Sequence, residues 1–414
     1  MSDKMPTPPR EEDKTEGKTE SPPGTRGEGG KVLFAVALVL ACGWLVLTRN
    51  PATGVHDMPA AVLHHFESGA LVPIRMGKRR MEMFVASAGP VRAEETLLVL
   101  HGVPASSFSF RKALPPLARA LNTGSHRSFR VVAPDMPGLG LSDKPDPSGF
   151  DYSWPGLAEA VMATIDALHA EKVHLVLHDV GGPVGLELAA RYPHRVASIT
   201  LLNTLLDLGP FSRPFPMNVF AGNPVVARAL FRTFTAQIPP LTWLNAALFK
   251  FRGAASISVT DTSAYGYLLA YNNGMEPFLA IMHGFNLSAD HTQVLTAPLT
   301  SGAFPVAYVP IDDDVIPGHQ AEFIASLVAS TGGHVVSPPL ASKHFVGEDA
   351  PDALADAVAG FVLSATTAPP PPPPPVDNSH GHGHGHGHGH GHGHGHGHGH
   401  GHGHGHGMGH GYGL

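Results

Sequence analysis

The stretch Lys172–Val196, KVHLVLHDVGGPVGLELAARYPHRV, decides the fold. It begins with a short apolar, β-branched run without polar alternation, the pattern of a strand buried on both faces. From Gly182 to Tyr192 the spacing is that of a helix. Asp179, Val180 and two glycines lie between, so strand passes into helix through a turn with little room for side chains. A turn of that kind lifts one side chain above the edge of a sheet, and here the side chain is the Asp179 carboxylate. The same carboxylate could equally do no more than cap the following helix.

Outward from this unit, Glu95–His101 (ETLLVLH), Phe129–Pro134 (FRVVAP), Ala197–Asn203 (ASITLLN) and Ala303–Ile311 read as further buried strands. Helical patterns fill Phe108–Leu121 and Gly156–His169. Strand and helix in alternation predict an α/β fold with a mostly parallel, doubly wound sheet. The alternation stops after Asn203. Residues 205–302 are rich in Phe, Pro and Leu with helical character, and are expected to form a helical cap inserted over the C-terminal edge of the sheet. The core is then built from residues 60–204 and 303–364.

The ends differ from this middle. Residues 1–30 are polar, rich in Glu, Lys, Pro and Gly, and are expected to be disordered. Residues 31–49 carry the uncharged run Val32–Thr48 (VLFAVALVLACGWLVLT) between Lys31 and Arg49. As a helix it would reach roughly 25 Å, close to the ~30 Å of a hydrocarbon core. It has no polar stripe, so a single transmembrane helix is expected rather than a core helix. The excess of Lys and Arg before it places the N-terminus on the cytoplasmic side and the folded domain on the lumenal or extracellular side. Residues 365–414 are low complexity: a proline run, then His alternating with Gly almost to Leu414. Gly at every second position prevents a packed core, and such a tail could bind transition metals or simply be solvated.

Composition excludes several classes. The 414 residues hold 27 Lys and Arg against 34 Asp and Glu, a net charge of −7, so no basic field favours nucleic acid. The one cysteine, Cys42, excludes an internal disulfide framework and a multi-Cys zinc site. No metal site in the core and no cofactor are expected.

The chemistry-bearing residues fall at strand ends. Leu98–Pro104 (LVLHGVP) ends one strand in a tight turn, and the Val103 and Val180 N–H groups are placed as an anion hole requires. PDMPGLGLSDKP at Pro134–Pro145 follows a second strand. Asp312, Asp313 and Asp314 follow the strand after the insertion, and His344 lies in a loop before the last helix. Nucleophile, acid and His come in the chain order such a sheet uses.

From about Leu63 to Leu363 the chain resembles the α/β-hydrolases, within them the haloalkane dehalogenase and epoxide hydrolase branch. HGVPASSFSFR at His101–Arg111 is similar to that branch's HGxPxSSxxxR, and PDMPGLGLSDKP, HDVGGPVGLELAARYPHRV and HFVGEDAP match its later motifs. The resemblance implies Asp179 as nucleophile, His344 as general base and Asp313 as the acid, with Asp312 and Asp314 its neighbours. Some members place the acid after the preceding strand, where this chain has Asn203, which cannot serve.

An Asp nucleophile suits displacement at a saturated carbon better than acyl transfer, which would give an anhydride. Two leaving groups follow from the resemblance. Dehalogenases usually place Trp after the nucleophile and Asn after HG; this chain has Val180 and Val103, leaving Trp243 as a distant substitute. Epoxide hydrolases protonate the leaving oxygen from cap tyrosines, and SAYGYLLAYNN offers Tyr265, Tyr267 and Tyr271, of which the last two share a helix face. Epoxide opening is the preferred expectation, dehalogenation the alternative. Phe211, Phe215, Phe220, Phe231, Phe234 and Trp243 suggest a roof for a small lipophilic substrate, although they could be cap core. A different class of function also fits: an inactive scaffold presenting the His-Gly tail to metal.

Overall fold

The computed structural model describes residues 58–367, together with Gly43. The expected disordered tail, the Val32–Thr48 segment apart from Gly43, and the Pro-rich and His-Gly tail lie outside the described residues. Among the described residues no helix is long and apolar enough to cross a membrane.

The strands are β1 Gly69–Met76, β2 Arg79–Ala88, β3 Glu95–Leu100, β4 Phe129–Pro134, β5 Val173–Asp179, β6 Val196–Thr204, β7 Val306–Tyr308, β8 Ile311–Asp313, β9 His334–Val335 and β10 Leu340–Lys343. Eight of them form one sheet in the order β1-β2-β4-β3-β5-β6-β7-β9. From β4 to β9 every pairing is parallel, while β1–β2 and β2–β4 are antiparallel. All seven residues of β5 are buried, which accounts for its unbroken apolar reading. The hairpin β1–β2 escapes that reading because its outer positions face water and carry Arg and Glu.

Two expected elements are divided, both by proline. Phe108–Leu121 becomes a single 3₁₀ turn, Ser107–Phe110, and a helix, Leu114–Gly124, that restarts at Pro115 and Pro116. Proline lacks the donor an interior helical position needs but is tolerated in a first turn. Ala303–Ile311 becomes β7 and β8, separated at Val309–Pro310, and β8 pairs with β10 outside the main sheet.

Register positions the site. Leu100 of β3 lies beside Leu177 of β5, and Asp179 lies beside Thr204 of β6. The turns after β3 and β5 therefore leave the sheet side by side at its C-terminal edge. Between β6 and β7 run six helices: Met217–Phe220, Pro224–Thr235, Pro239–Arg252, Val259–Ala270, Met275–His283 and Ala289–Thr300. Phe220 and Phe231 pack on Phe278 with ring centroids 5.0 and 5.7 Å apart and are buried. They belong to the core of the inserted helices, where burial of such rings stabilises by about 1.5–3 kcal/mol each. Phe215 and Trp243, by contrast, are 72% and 62% exposed, so neither roofs a pocket.

Candidate active site

Asp179 has φ = +51°, a left-handed conformation that L-residues with a Cβ rarely adopt. The turn holds it there. Thr204 Oγ1 donates to the Asp179 carbonyl at 2.5 Å. The glycines around it are required by space: a Cβ on Gly102 would overlap the Asp179 carboxylate, and one on Gly182 would overlap the Thr204 hydroxyl. The side chain is thereby presented at the sheet edge. It does not fold back to cap the helix Gly181–Arg191, which has no side-chain cap bond at its start.

The Val103 N–H donates to Asp179 Oδ1 at 2.9 Å, and the Val180 N–H also serves this carboxylate. The second oxygen, Oδ2, faces His344 Nε2 across 3.8 Å. Burial raises the Asp179 pKa above the ordinary carboxylate value, opposed by His344 and the two N–H groups.

His344 Nδ1 lies 2.9 Å from Asp314 Oδ1, so the ring donates that N–H to the carboxylate and turns Nε2 toward Asp179. The carboxylate behind His344 is thus that of Asp314, a correction to the expected Asp313. The cause is where β8 ends: Asp312 and Asp313, its last two residues, are both exposed. The 69%-exposed Asp313 side chain meets Lys343 Nζ at 2.5 Å, and Asp314, one residue past the strand, turns its side chain inward, where it is 5% exposed. Asp312 accepts from the Ser342 N–H. Asp314 is further held by the Ile316 N–H at 2.7 Å and by Asn203 Nδ2 at 2.8 Å. Burial alone would raise the Asp314 pKa, but His344, and after it the Ile316 N–H, outweigh burial and hold the acid below its usual range. Burial likewise disfavours a charged His344, yet Asp314 and then Asp179 lift its pKa to about 9.

Three supporting residues carry no role in the sequence reading. Asn203 accepts from Tyr308 Oη and the Ile311 N–H through Oδ1, which fixes the amide that steadies Asp314. His178 donates from Nε2 to the His344 carbonyl at 2.9 Å, and its ring lies 4.6 Å from that of His344, tilted by 41°. Burial, then the neighbouring His344, lowers the His178 pKa to about 3, so it remains neutral. Glu348, with its side chain fully buried, pairs with Arg111 and Lys112 and accepts from Tyr265 Oη at 2.9 Å. Arg111 also reaches Asp261 of the helix Val259–Ala270, so this cluster joins the His344 loop to the inserted helices. His178 borders Asp179, and Asn203 lies at the end of β6, at the position where some relatives place the acid; those positions were the available signal.

Of the expected leaving-group residues, Tyr265 is occupied by Glu348, and Trp243 is on the exposed side of its helix. Tyr267 is buried with its ring 5.8 Å from that of the half-buried Tyr271. Among the described residues no group of three or more His, Cys, Asp or Glu could hold a metal ion.

A family model described as the alpha/beta hydrolase fold matches residues 95–241. A cis-3-alkyl-4-alkyloxetan-2-one decarboxylase of Shewanella oneidensis is 36% identical over 144 residues, 34% of this chain and 43% of that protein. A haloalkane dehalogenase of Psychrobacter cryohalolentis is 37% identical over 163 residues, 39% of this chain and 50% of the relative. The chain therefore spans about half or less of the length of these curated relatives. Among solved structures, a haloalkane dehalogenase of Bradyrhizobium elkani is 25% identical with a TM-score of 0.52, covering 73% of this chain and all of that one.

Proposed function

We propose that this chain, which has the α/β-hydrolase fold, is a hydrolase that opens a small strained oxygen ring, most simply an epoxide, through an ester on Asp179. The observation that carries the reading is a carboxylate, not a hydroxyl, held at a positive-φ turn between two N–H donors and an imidazole.

Oδ1 is engaged by N–H groups, so Oδ2 is the attacking atom. It forms a bond to a ring carbon as the C–O bond breaks, and the electron pair goes to the ring oxygen, which takes a proton from a cap tyrosine. Alkylation removes the negative charge from Asp179. His344 loses part of what lifts its pKa to about 9, gives its proton up to the tyrosinate, and becomes able to act as a base. It deprotonates a water, which attacks the ester carbonyl, and the Val103 and Val180 N–H groups stabilise the charge that develops on Oδ1. Asp314 stabilises the imidazolium and holds its orientation. On collapse the departing alkoxide takes the proton of the new carboxyl group, which releases the diol and restores the carboxylate, while the proton taken from water stays on His344 as in the resting site.

The leaving oxygen is favoured over a halide on three grounds. Val103 and Val180 supply no side-chain donor, and the exposed Trp243 supplies none from the cap. The proton is assigned to a cap tyrosine, Tyr271 or its ring neighbour Tyr267. The Shewanella relative is named for an oxetan-2-one, itself a strained oxygen ring. The relative named haloalkane dehalogenase keeps halide displacement as the second reading.

A panel of epoxides, 1-haloalkanes and aryl esters tests this, with diol and halide measured together. Diol formation is expected, falling at least ~10³-fold in Asp179→Asn. Faster halide release would transfer the reading to dehalogenation, and an active Asp179→Asn protein that has not deamidated would remove the nucleophile. We also propose that Val32–Thr48 anchors the chain in a membrane, with the hydrolase domain on its lumenal or extracellular side.

A further inference from the structure

The helix Pro239–Arg252, PPLTWLNAALFKFR, turns an apolar face outward: Trp243, Leu244, Leu248 and Phe251 are 62%, 54%, 51% and 70% exposed. They fall at one-turn spacing, while Asn245, Ala246 and Phe249 face inward. The helix has no acidic residue, and the exposed Lys250 and Arg252 stand at the C-terminal end of the apolar face. Exposed large side chains on one helix face with a Trp and adjacent cations are the pattern of a surface that lies in a membrane interface.

The path of the chain argues for the same occupant. The described domain begins with the helix Ala60–Glu67, which packs against Val259–Ala270, the helix that also packs on Pro239–Arg252. The chain thus enters on the side of the inserted helices. Only Arg49–Pro59 separates that entry from the uncharged run Val32–Thr48. Fully extended, this connection spans at most about 40 Å. An anchor so close to the entry brings the inserted helices, and with them the apolar face, to the bilayer.

We propose that the face Trp243, Leu244, Leu248 and Phe251 docks on the lipid interface, with Lys250 and Arg252 meeting anionic headgroups. The inference rests on the anchor proposed above; the ring-opening reading is independent of it.

The test uses the full chain in vesicles of phosphatidylcholine and phosphatidylglycerol. Replacing Trp44 by Phe leaves Trp243 and the fully buried Trp154 as the fluorophores. Brominated phosphatidylcholine should quench most of the Trp243 emission. Leu248→Glu/Phe251→Glu in the same background, changed only at exposed positions, should still float with the vesicles but lose the quenching. Emission equal in brominated and plain vesicles would overturn the docking, as would quenching that survives the double substitution. So would shielding of Trp243 from iodide without quenching by lipid, which would mean a second copy covers the face. A chain that does not float with vesicles overturns docking and anchor together. No turnover is needed, so failure here is separable from failure of the hydrolase reading, which soluble-epoxide turnover reports.

Discussion

The sheet edge and the inserted helices answer to different physical constraints. At the edge, backbone geometry dictates residue type: only Gly leaves room for the Asp179 carboxylate at position 102 and for the Thr204 hydroxyl at position 182. In the inserted helices, the role of each aromatic depends on which way its helix is rotated against its neighbours. Phe231 is buried on Phe278, and Trp243 on the next helix stands in solvent, although both are large apolar residues in similar sequence surroundings. Chemistry placed by tight turns is locally encoded; a pocket wall placed by helix packing is not.

The sharpest way to break this contrast is at the neighbouring acids. Asp314→Asn should lower turnover on the order of 10²- to 10⁴-fold, because His344 loses the partner that fixes its tautomer and stabilises its charge. Asp313→Asn removes only an exposed ion pair, worth about 0–1 kcal/mol, and should leave turnover unchanged. The reverse ranking in steady-state kinetics would restore Asp313 as the acid. Within the inserted helices, Phe231→Ala should cost about 3–5 kcal/mol by denaturant unfolding. Trp243→Ala should stay within about 0.5 kcal/mol, and similar losses for both would show that the two rings share one environment.

The smallest effect concerns pH. The His344 pKa is raised in the folded chain from 6.5 to about 9, so the stability it contributes is fully present below pH 6.5 and lost as pH rises through about 9. The Tm advantage of the native chain over His344→Gln should therefore shrink between pH 6 and pH 9.5. An advantage that grows over that interval would mean the ring is neutral in the resting site.

Much of the edge was legible in sequence. The all-buried strands read as apolar runs, and the strand-to-helix turn at Asp179 was marked by its glycines. His344, Val103 and Val180 were found from position relative to strands, and the structure brings all three to Asp179. The acid was missed by one residue because three consecutive Asp residues give no clue to where β8 ends and which face each takes. Asn203 stands where some relatives place the acid and was read only as unable to serve; its amide instead holds Asp314, a contact between segments more than 100 residues apart. Tyr265 was a candidate proton donor because the resemblance implies cap tyrosines in that role, and its hydroxyl is taken by a Glu348 that lies far along the chain.

The central claim is that Asp179 forms the covalent intermediate and His344 resolves it. Intact mass of His344→Gln after exposure to an epoxide, followed by peptide mapping, tests it most directly. The expected result is an adduct of the whole epoxide mass on the peptide containing Asp179, persisting after excess substrate is removed. Absence of any adduct while the native chain turns the same epoxide over, or an adduct on another residue, would contradict it.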